Sequence, residues 1–101
     1  MAYKLALLHG IDDVIELRVL QWQARLGESV ALDDLLVELE THKVVVEMRA
    51  ERAGFLRCIL HEEGSWYKVG SVLAVLTDRP DDPLPDDVYA LPDYGAVIEI
   101  V

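Results

Sequence analysis

Short apolar runs broken by polar turns fill the first three quarters of the chain. IELRVLQW (15–22), LLVELE (35–40), KVVVEM (43–48), GFLRCIL (54–60) and VLAVL (72–76) are rich in β-branched, aromatic or leucine positions and bounded by Gly-, Asp- or Glu-rich breaks. Brief runs of this kind between turn signals predict strands. ALDDLLVELE has helix-forming residues. It is too short, however, and its apolar positions lack a sustained 3.6-residue repeat. The body therefore reads as all-β.

The same pattern occurs twice. With an offset of 37 residues, VLQWQARLGESVALDDLLVEL (19–39) lies over LRCILHEEGSWYKVGSVLAVL (56–76). Gly27 falls on Gly64 and Val30 on Tyr67. Leu32 falls on Val69, Leu35 on Val72, Leu36 on Leu73 and Leu39 on Leu76. Each half runs strand, Gly turn, short apolar pair, turn, strand. Neither half can bury a core alone, so the two are expected to pack together about an approximate two-fold axis. The predicted fold is a flattened β-barrel, a barrel-sandwich hybrid of two small antiparallel sheets. Advancing 37 residues from His42–Lys43 reaches Arg79–Pro80, where the body ends. The symmetry thus predicts the 42–43 hairpin at one end of the domain and both chain termini at the other.

That hairpin joins two strands through THK alone. Favoured two-residue turns place Gly, Asn or Asp where φ is positive. His42 and Lys43 are neither Gly nor Asn; His tolerates that region fairly well and Lys less so. A turn that forgoes the easy residues can be selected for its side chains. The competing reading is an ordinary solubilising lysine, cationic at neutral pH.

Composition changes the picture mainly in the last quarter. The chain has 101 residues, 52% of them hydrophobic and 28% charged, with a net charge of −10. That size suits one globular domain. An acidic surface repels nucleic acid and anionic membranes, so neither is expected as a partner. Residues 77–101 carry one Arg against seven acids and hold all four prolines. Residues 1–77 are therefore assigned to the domain, 78–93 to an acidic Pro-rich linker, and 94–101 to a C-terminal strand folding back on the body, or a tail that binds a partner. Cys58 is the single cysteine, so no internal disulfide is possible. MAYKLALLHGIDD has a short apolar run without a small-residue cleavage site, and no apolar stretch reaches membrane-spanning length. A cytoplasmic protein is expected.

ETHKVVVEM (40–48) resembles the modification segment of lipoyl domains in the biotin/lipoyl attachment family, closest to those of 2-oxo acid dehydrogenase acyltransferases. That segment reads Glu, Ser or Thr, Asp, Lys, then small or apolar residues. The resemblance spans residues 14 to 77 and includes Trp22, Gly27, Gly54, Glu63–Gly64 and Gly70 in order. His42 stands where the family usually has Asp, and ALLHGIDD keeps only Gly10 of the family's Pro-Asp-x-Gly segment. Trp66–Tyr67 replace smaller residues and are expected to pack under the C-terminal tail.

The resemblance implies a non-catalytic carrier domain. Lipoate would be joined to the Lys43 ε-amine, with Glu40, Thr41, His42 and Val44 forming the flanking recognition segment. It implies a lipoate ligase or octanoyl/lipoyl transferase and dehydrogenase-complex subunits as partners. A monomer is expected, since a carrier needs a free tip. Biotin is a less favoured cofactor, because biotin domains usually have Met on both sides of the lysine, whereas His42 and Val44 stand here. An unmodified adaptor on the same fold, binding through VIEIV or the acidic tail, is a third reading, and the glycine-cleavage carrier a fourth. His9, His42 and His61 lack zinc-ligand spacing, so no metal is expected. Cys58 reads as buried within its strand, Trp22 as core, and Trp66 as either core or a partner anchor.

Overall fold

The computed structural model describes residues 1–7 and 13–101. His9 and the segment around Gly10 lie outside the described residues. The five strands expected from the sequence form: β2 (Glu16–Trp22), β4 (Leu35–Glu40), β5 (Val45–Ala50), β6 (Gly54–Ile59) and β8 (Ala74–Thr77). The short apolar pairs become β3 (Ser29–Val30) and β7 (Trp66–Lys68). Two further strands bracket the body, β1 (Ala2–Leu5) and β9 (Ala96–Ile100).

Two antiparallel sheets result, ordered β1-β8-β6-β3 and β7-β2-β4-β5-β9. Leu17, Val19, Leu36, Leu39, Val46 and Met48 of the larger sheet and its turns join Leu5, Leu56, Leu73 and Leu76 in one buried cluster. Each such side chain, fully removed from water, contributes about 1.5–3 kcal/mol.

Several backbone hydrogen bonds follow the repeat. Gly27 N donates to Leu56 O, and its counterpart Gly64 N to Val19 O. Gln23 and Ala24 both donate to Leu36 O, as Leu60 and His61 do to Leu73 O. The β2–β4 ladder bulges between Val19 and Gln21, and the β6–β8 ladder between Leu56 and Cys58. Asp33 and Gly70, also related by the repeat, both have positive φ, 71° and 95°. Each half supplies the edge that the other lacks: β7 closes on β2 and β3 on β6.

The C-terminal segment lies outside this symmetry. Strand β9 pairs antiparallel with β5, Val46 opposite Ile100, and Val101 N donates to Val45 O at 2.9 Å. The chain therefore ends beside the base of the 42–43 hairpin, whereas Met1 lies at Asp78 and Asp82. The expectation that both termini sit opposite the hairpin fails for the C-terminus. The two-fold relates only the body, and antiparallel pairing with β5 turns the last strand back towards the hairpin. Trp66–Tyr67 do not pack under this strand either, because β7 and β9 are opposite edges of one sheet. Tyr67 instead lies on His61, ring centroids 3.7 Å apart.

Residues 78–95 cross the body between these strands and are tied to it. Lys4 N donates to Pro92 O and Lys4 Nζ to Tyr89 O; Arg57 donates to Asp82 O at 2.8 Å. Val88–Ala90 form one 3₁₀ turn, capped by the Asp87 carboxylate accepting from Tyr89 N. Tyr94 is buried, and its hydroxyl donates to Arg52 O. Gly54 makes room for it: a Cβ there would stand 3.1 Å from Thr77 O and 3.3 Å from the Tyr94 ring. Cys58 is half-buried rather than sealed in its strand.

Candidate attachment site

The β4–β5 hairpin is closed by Thr41. This residue is buried, and Thr41 N and Oγ1 both donate to Val44 O at 2.9 Å. The same hydroxyl accepts from Lys43 N at 3.2 Å and Val44 N at 3.0 Å. Neither His42 nor Lys43 adopts positive φ; among the described non-glycine residues only Asp13 and Asp33 do. The sequence-based expectation of a left-handed turn is thus corrected. A side-chain hydroxyl satisfies the amides at the turn, so the tip needs neither Gly nor Asn. The signal was in the sequence, as a Thr immediately before the two tip residues.

Val44 is half-buried against the core, which anchors the hairpin from below. His42 and Lys43 at the apex are exposed. The Lys43 side chain retains 43% of its exposure, and its Nζ lies 3.4 Å from Asp13 Oδ2. A pair this open to water and this long adds little stability. The other two lysines lie elsewhere: Lys4 is on β1 with its amine on Tyr89 O, and Lys68 is on β7.

Glu40 does not reach the tip. Its carboxylate accepts from Arg18 Nη2 at 2.5 Å on the outer face of the larger sheet. The Arg18 guanidinium also lies over the Trp66 ring, 5.4 Å from its centroid. Trp66, Arg18 and Glu40 are directly opposed on β7, β2 and β4, so they form one row beside the hairpin. The four flanking residues therefore divide. Thr41 and Val44 fix the turn, Glu40 belongs to the sheet row, and His42 alone shares the apex with Lys43.

Between this row and the tip lies a surface groove of about 590 Å³, lined by Asp13, Ile15, Glu16, His42 and Trp66. Its apolar wall is openly solvated, with Ile15 71% and Trp66 45% exposed. Trp22, by contrast, packs half-buried on the core and donates its indole N–H to His61 O at 2.9 Å. Sequence reasoning did not single out Ile15, Asp13 or Arg18, because only the hairpin pairing brings them beside Lys43. No group of three or more His, Cys, Asp or Glu side chains among the described residues is placed to hold a metal ion. No helix among them is long and apolar enough to cross a membrane.

Comparison with known proteins agrees with this geometry. Residues 11–76 match the family described as "Biotin-requiring enzyme". The dihydrolipoyllysine-residue succinyltransferase component of the 2-oxoglutarate dehydrogenase complex from Bartonella vinsonii subsp. berkhoffii is 43% identical over 65 residues, 64% of this chain and 16% of that protein. The corresponding Cupriavidus necator component is 38% identical over 63 residues, covering 62% and 15%. The mitochondrial pyruvate dehydrogenase protein X component of Mus musculus is 35% identical over 79 residues, covering 73% and 16%. The chain thus spans about one sixth of the length of these relatives. With a match over most of its body and a symmetric two-sheet fold that raises a lysine hairpin, the chain belongs to the biotin/lipoyl attachment-domain family.

Proposed function

We propose that the protein is a lipoyl carrier domain, modified on Lys43, that serves a 2-oxo acid dehydrogenase-type complex. The observation that carries this reading is the placement of Lys43 at the apex of a turn held rigid from within by Thr41. The fit to lipoate is steric and chemical. The Lys43 side chain is exposed at the apex, the turn beneath it is closed by Thr41, and Val44 anchors the hairpin in the core. Similarity to acyltransferase components named for a dihydrolipoyllysine residue favours lipoate over biotin.

Lys43 Nζ would form an amide with the lipoate carboxyl, using ATP through a ligase or an already activated acyl donor through a transferase. Once attached, lipoate supplies a dithiolane that takes up an acyl group with reduction and is later reoxidised. The domain itself does no bond making in that cycle. Its residues hold the attachment point clear of the sheets and present the sequence around it to partner subunits. Tethering raises the effective concentration of the carried group at each partner.

Intact mass after incubation with lipoate, ATP and a lipoate ligase tests the reading, with biotin and a biotin ligase in parallel. One lipoyl group is expected on the native chain and none on Lys43→Arg, with the melting temperature unchanged. Biotin addition alone would assign the domain to carboxylase chemistry. No adduct from either, on the native chain or on His42→Asp, with ligases shown active on another acceptor domain, would leave an unmodified adaptor.

A further inference from the structure

The two sheets have four outer edges, those of β1, β3, β7 and β9, and three of them discourage further pairing. The edge of β1 is covered by the crossing segment, where Lys4 N donates to Pro92 O and Tyr94 N to Lys4 O. Strand β3 is two residues long, and β7 is three, with Lys68 at its end. Short edge strands and edge lysines are common guards against strand addition. Strand β9 has neither. It runs for five residues, Ala96–Ile100, without proline, lysine or a bulge against β5. Val97, Ile98, Ile100 and the following Val101 are all exposed. A strand that only capped β5 could carry polar side chains at these positions.

This free edge is complementary to itself. Val101 N donates to Val45 O, and Glu51 N to Gly95 O. Antiparallel ladders alternate, so Val97, Glu99 and Val101 turn their backbone groups towards β5, and Ala96, Ile98 and Ile100 turn theirs outwards. Two such edges pair antiparallel over the whole strand about a two-fold axis through Ile98. Ile98 then meets the partner's Ile98, and Ala96 meets the partner's Ile100. Ala96 and Ile98 line a shallow groove of about 150 Å³ with Met48 and Tyr94, which gives that isoleucine an apolar seat. On the opposite face Val97 meets the partner's Glu99, and Arg49 stands next in the same row. Arg49 already holds its own Glu99 at 3.4 Å. Two strand spacings, about 10 Å, separate its backbone from that of the partner's Glu99, within the combined reach of the two side chains. A register centred on Glu99 instead would set two carboxylates directly opposite, which disfavours it.

We propose that β9 is a self-association edge, by which two copies of this chain join antiparallel about Ile98 and merge their five-stranded sheets into one. Strand β9 runs towards the Lys43 hairpin, so antiparallel pairing sends the two Lys43 tips in opposite directions. Both tips stay free, which is all that a carrier asks of its oligomeric state. Two five-residue strands bury less than the roughly 1,200 Å² at which stable complexes begin, and each chain carries a net charge of −10. The alternation of Arg49 and Glu99 supplies local attraction against that long-range repulsion, which salt screens. The dimer is therefore weak and reversible, half-formed between about 10 µM and about 1 mM.

Sedimentation velocity of the full chain, taken up to about 1 mM at moderate salt, tests this. A reversible monomer–dimer equilibrium is expected. In a mixture of isotope-labelled and unlabelled chain, a filtered NOE between Ile100 and Ala96 methyl groups is expected as well. Along one strand these residues lie about 13 Å apart, too far to give it within a copy. Ile98→Pro removes an outward N–H and leaves the β5 ladder its bonds, as proline on an edge strand can. This variant should be monomeric throughout, with the Val101 amide still protected from hydrogen exchange by Val45 O. Should that protection be lost, the charge pair decides instead: Glu99→Lys should weaken the dimer, and adding Arg49→Glu should restore it. A native chain that stays monomeric at about 1 mM, or a dimer that persists in Ile98→Pro with Val101 protected, would overturn the proposal. So would NOEs that pair Ile98 with the partner's Ile100, since they place the axis at Glu99. Association only with a different, basic protein would assign the edge to that protein and equally overturn it. None of these outcomes bears on the modification of Lys43.

Discussion

The two halves of this domain have the same backbone and different ends. In the body, main-chain features of residues 19–36 recur at 56–73: the Gly turn, the bifurcated acceptors Leu36 and Leu73, and the bulge in the ladder. At the ends the likeness stops. One half finishes in a projecting hairpin with His42 and Lys43 at its apex. The other finishes in Arg79–Pro80, where Thr77 Oγ1 donates to Arg79 O and the chain turns away along the body. The fold therefore needs only the symmetric set of positions. What breaks the symmetry, namely Lys43, Trp66 and the strand β9, is where function is to be sought.

The largest expected effect tests the symmetric set. Leu36 and Leu73 are both buried to within 1% of full burial and occupy equivalent places. Truncating either to Ala should cost about 2–5 kcal/mol, read from urea denaturation, and the two losses should be of similar size. A much larger loss at Leu36 would mean that the half bearing the hairpin is the one that holds the fold together, and the equivalence drawn above would be wrong.

A smaller effect tests the asymmetric addition. Tyr94 fastens the crossing segment to the body through its hydroxyl on Arg52 O. Tyr94→Phe should cost about 1 kcal/mol, the usual net worth of one buried hydrogen bond. Burial raises the pKa of this phenol above its ordinary value, and the nearby Arg52 only partly opposes the rise. A raised folded-state pKa means that the stabilisation is complete below the unfolded value near 10 and is lost as pH climbs towards the folded value. Native stability should therefore fall from about pH 10 upwards more steeply than that of Tyr94→Phe. Equal slopes in a pH series of denaturation curves would show that Tyr94 is not what ties the segment at alkaline pH.

Much of this was legible in the sequence, for physical reasons. The strands of the body announce themselves because each is bounded by turn residues, and the repeat is visible because both halves must fill one core. Lys43 stood out from its hairpin and from the family resemblance. Three things were hidden. Ala2–Leu5 gives no strand signal of its own; it becomes a strand by pairing with β8. The direction of β9 depends on which edge of which sheet lies open, and no local pattern encodes that. The groove beside Lys43 joins residues from three separated stretches, Asp13–Glu16, His42 and Trp66, so only the folded chain assembles it.

The smallest effect concerns a single backbone angle shared by the two halves. Asp33 and Gly70 are symmetry mates and both adopt positive φ. Gly does so without steric cost, whereas a Cβ in this region is disfavoured and Asp tolerates it better than most residues. No atom lies within 4 Å of a Cβ built on Gly70, so backbone strain, and not crowding, sets the outcome. Gly70→Ala should destabilise by about 1 kcal/mol. Gly70→Asp, which copies the other half, should cost less than Gly70→Ala. Asp33→Gly should be close to neutral, because relief of strain is offset by the greater freedom of the unfolded chain. The ordering Ala, then Asp, then native at position 70 is the informative result. If Asp proved as costly as Ala, the tolerance shown at Asp33 would belong to its own surroundings, where its N–H donates to Ala50 O at 2.8 Å, and not to the turn that the two halves have in common.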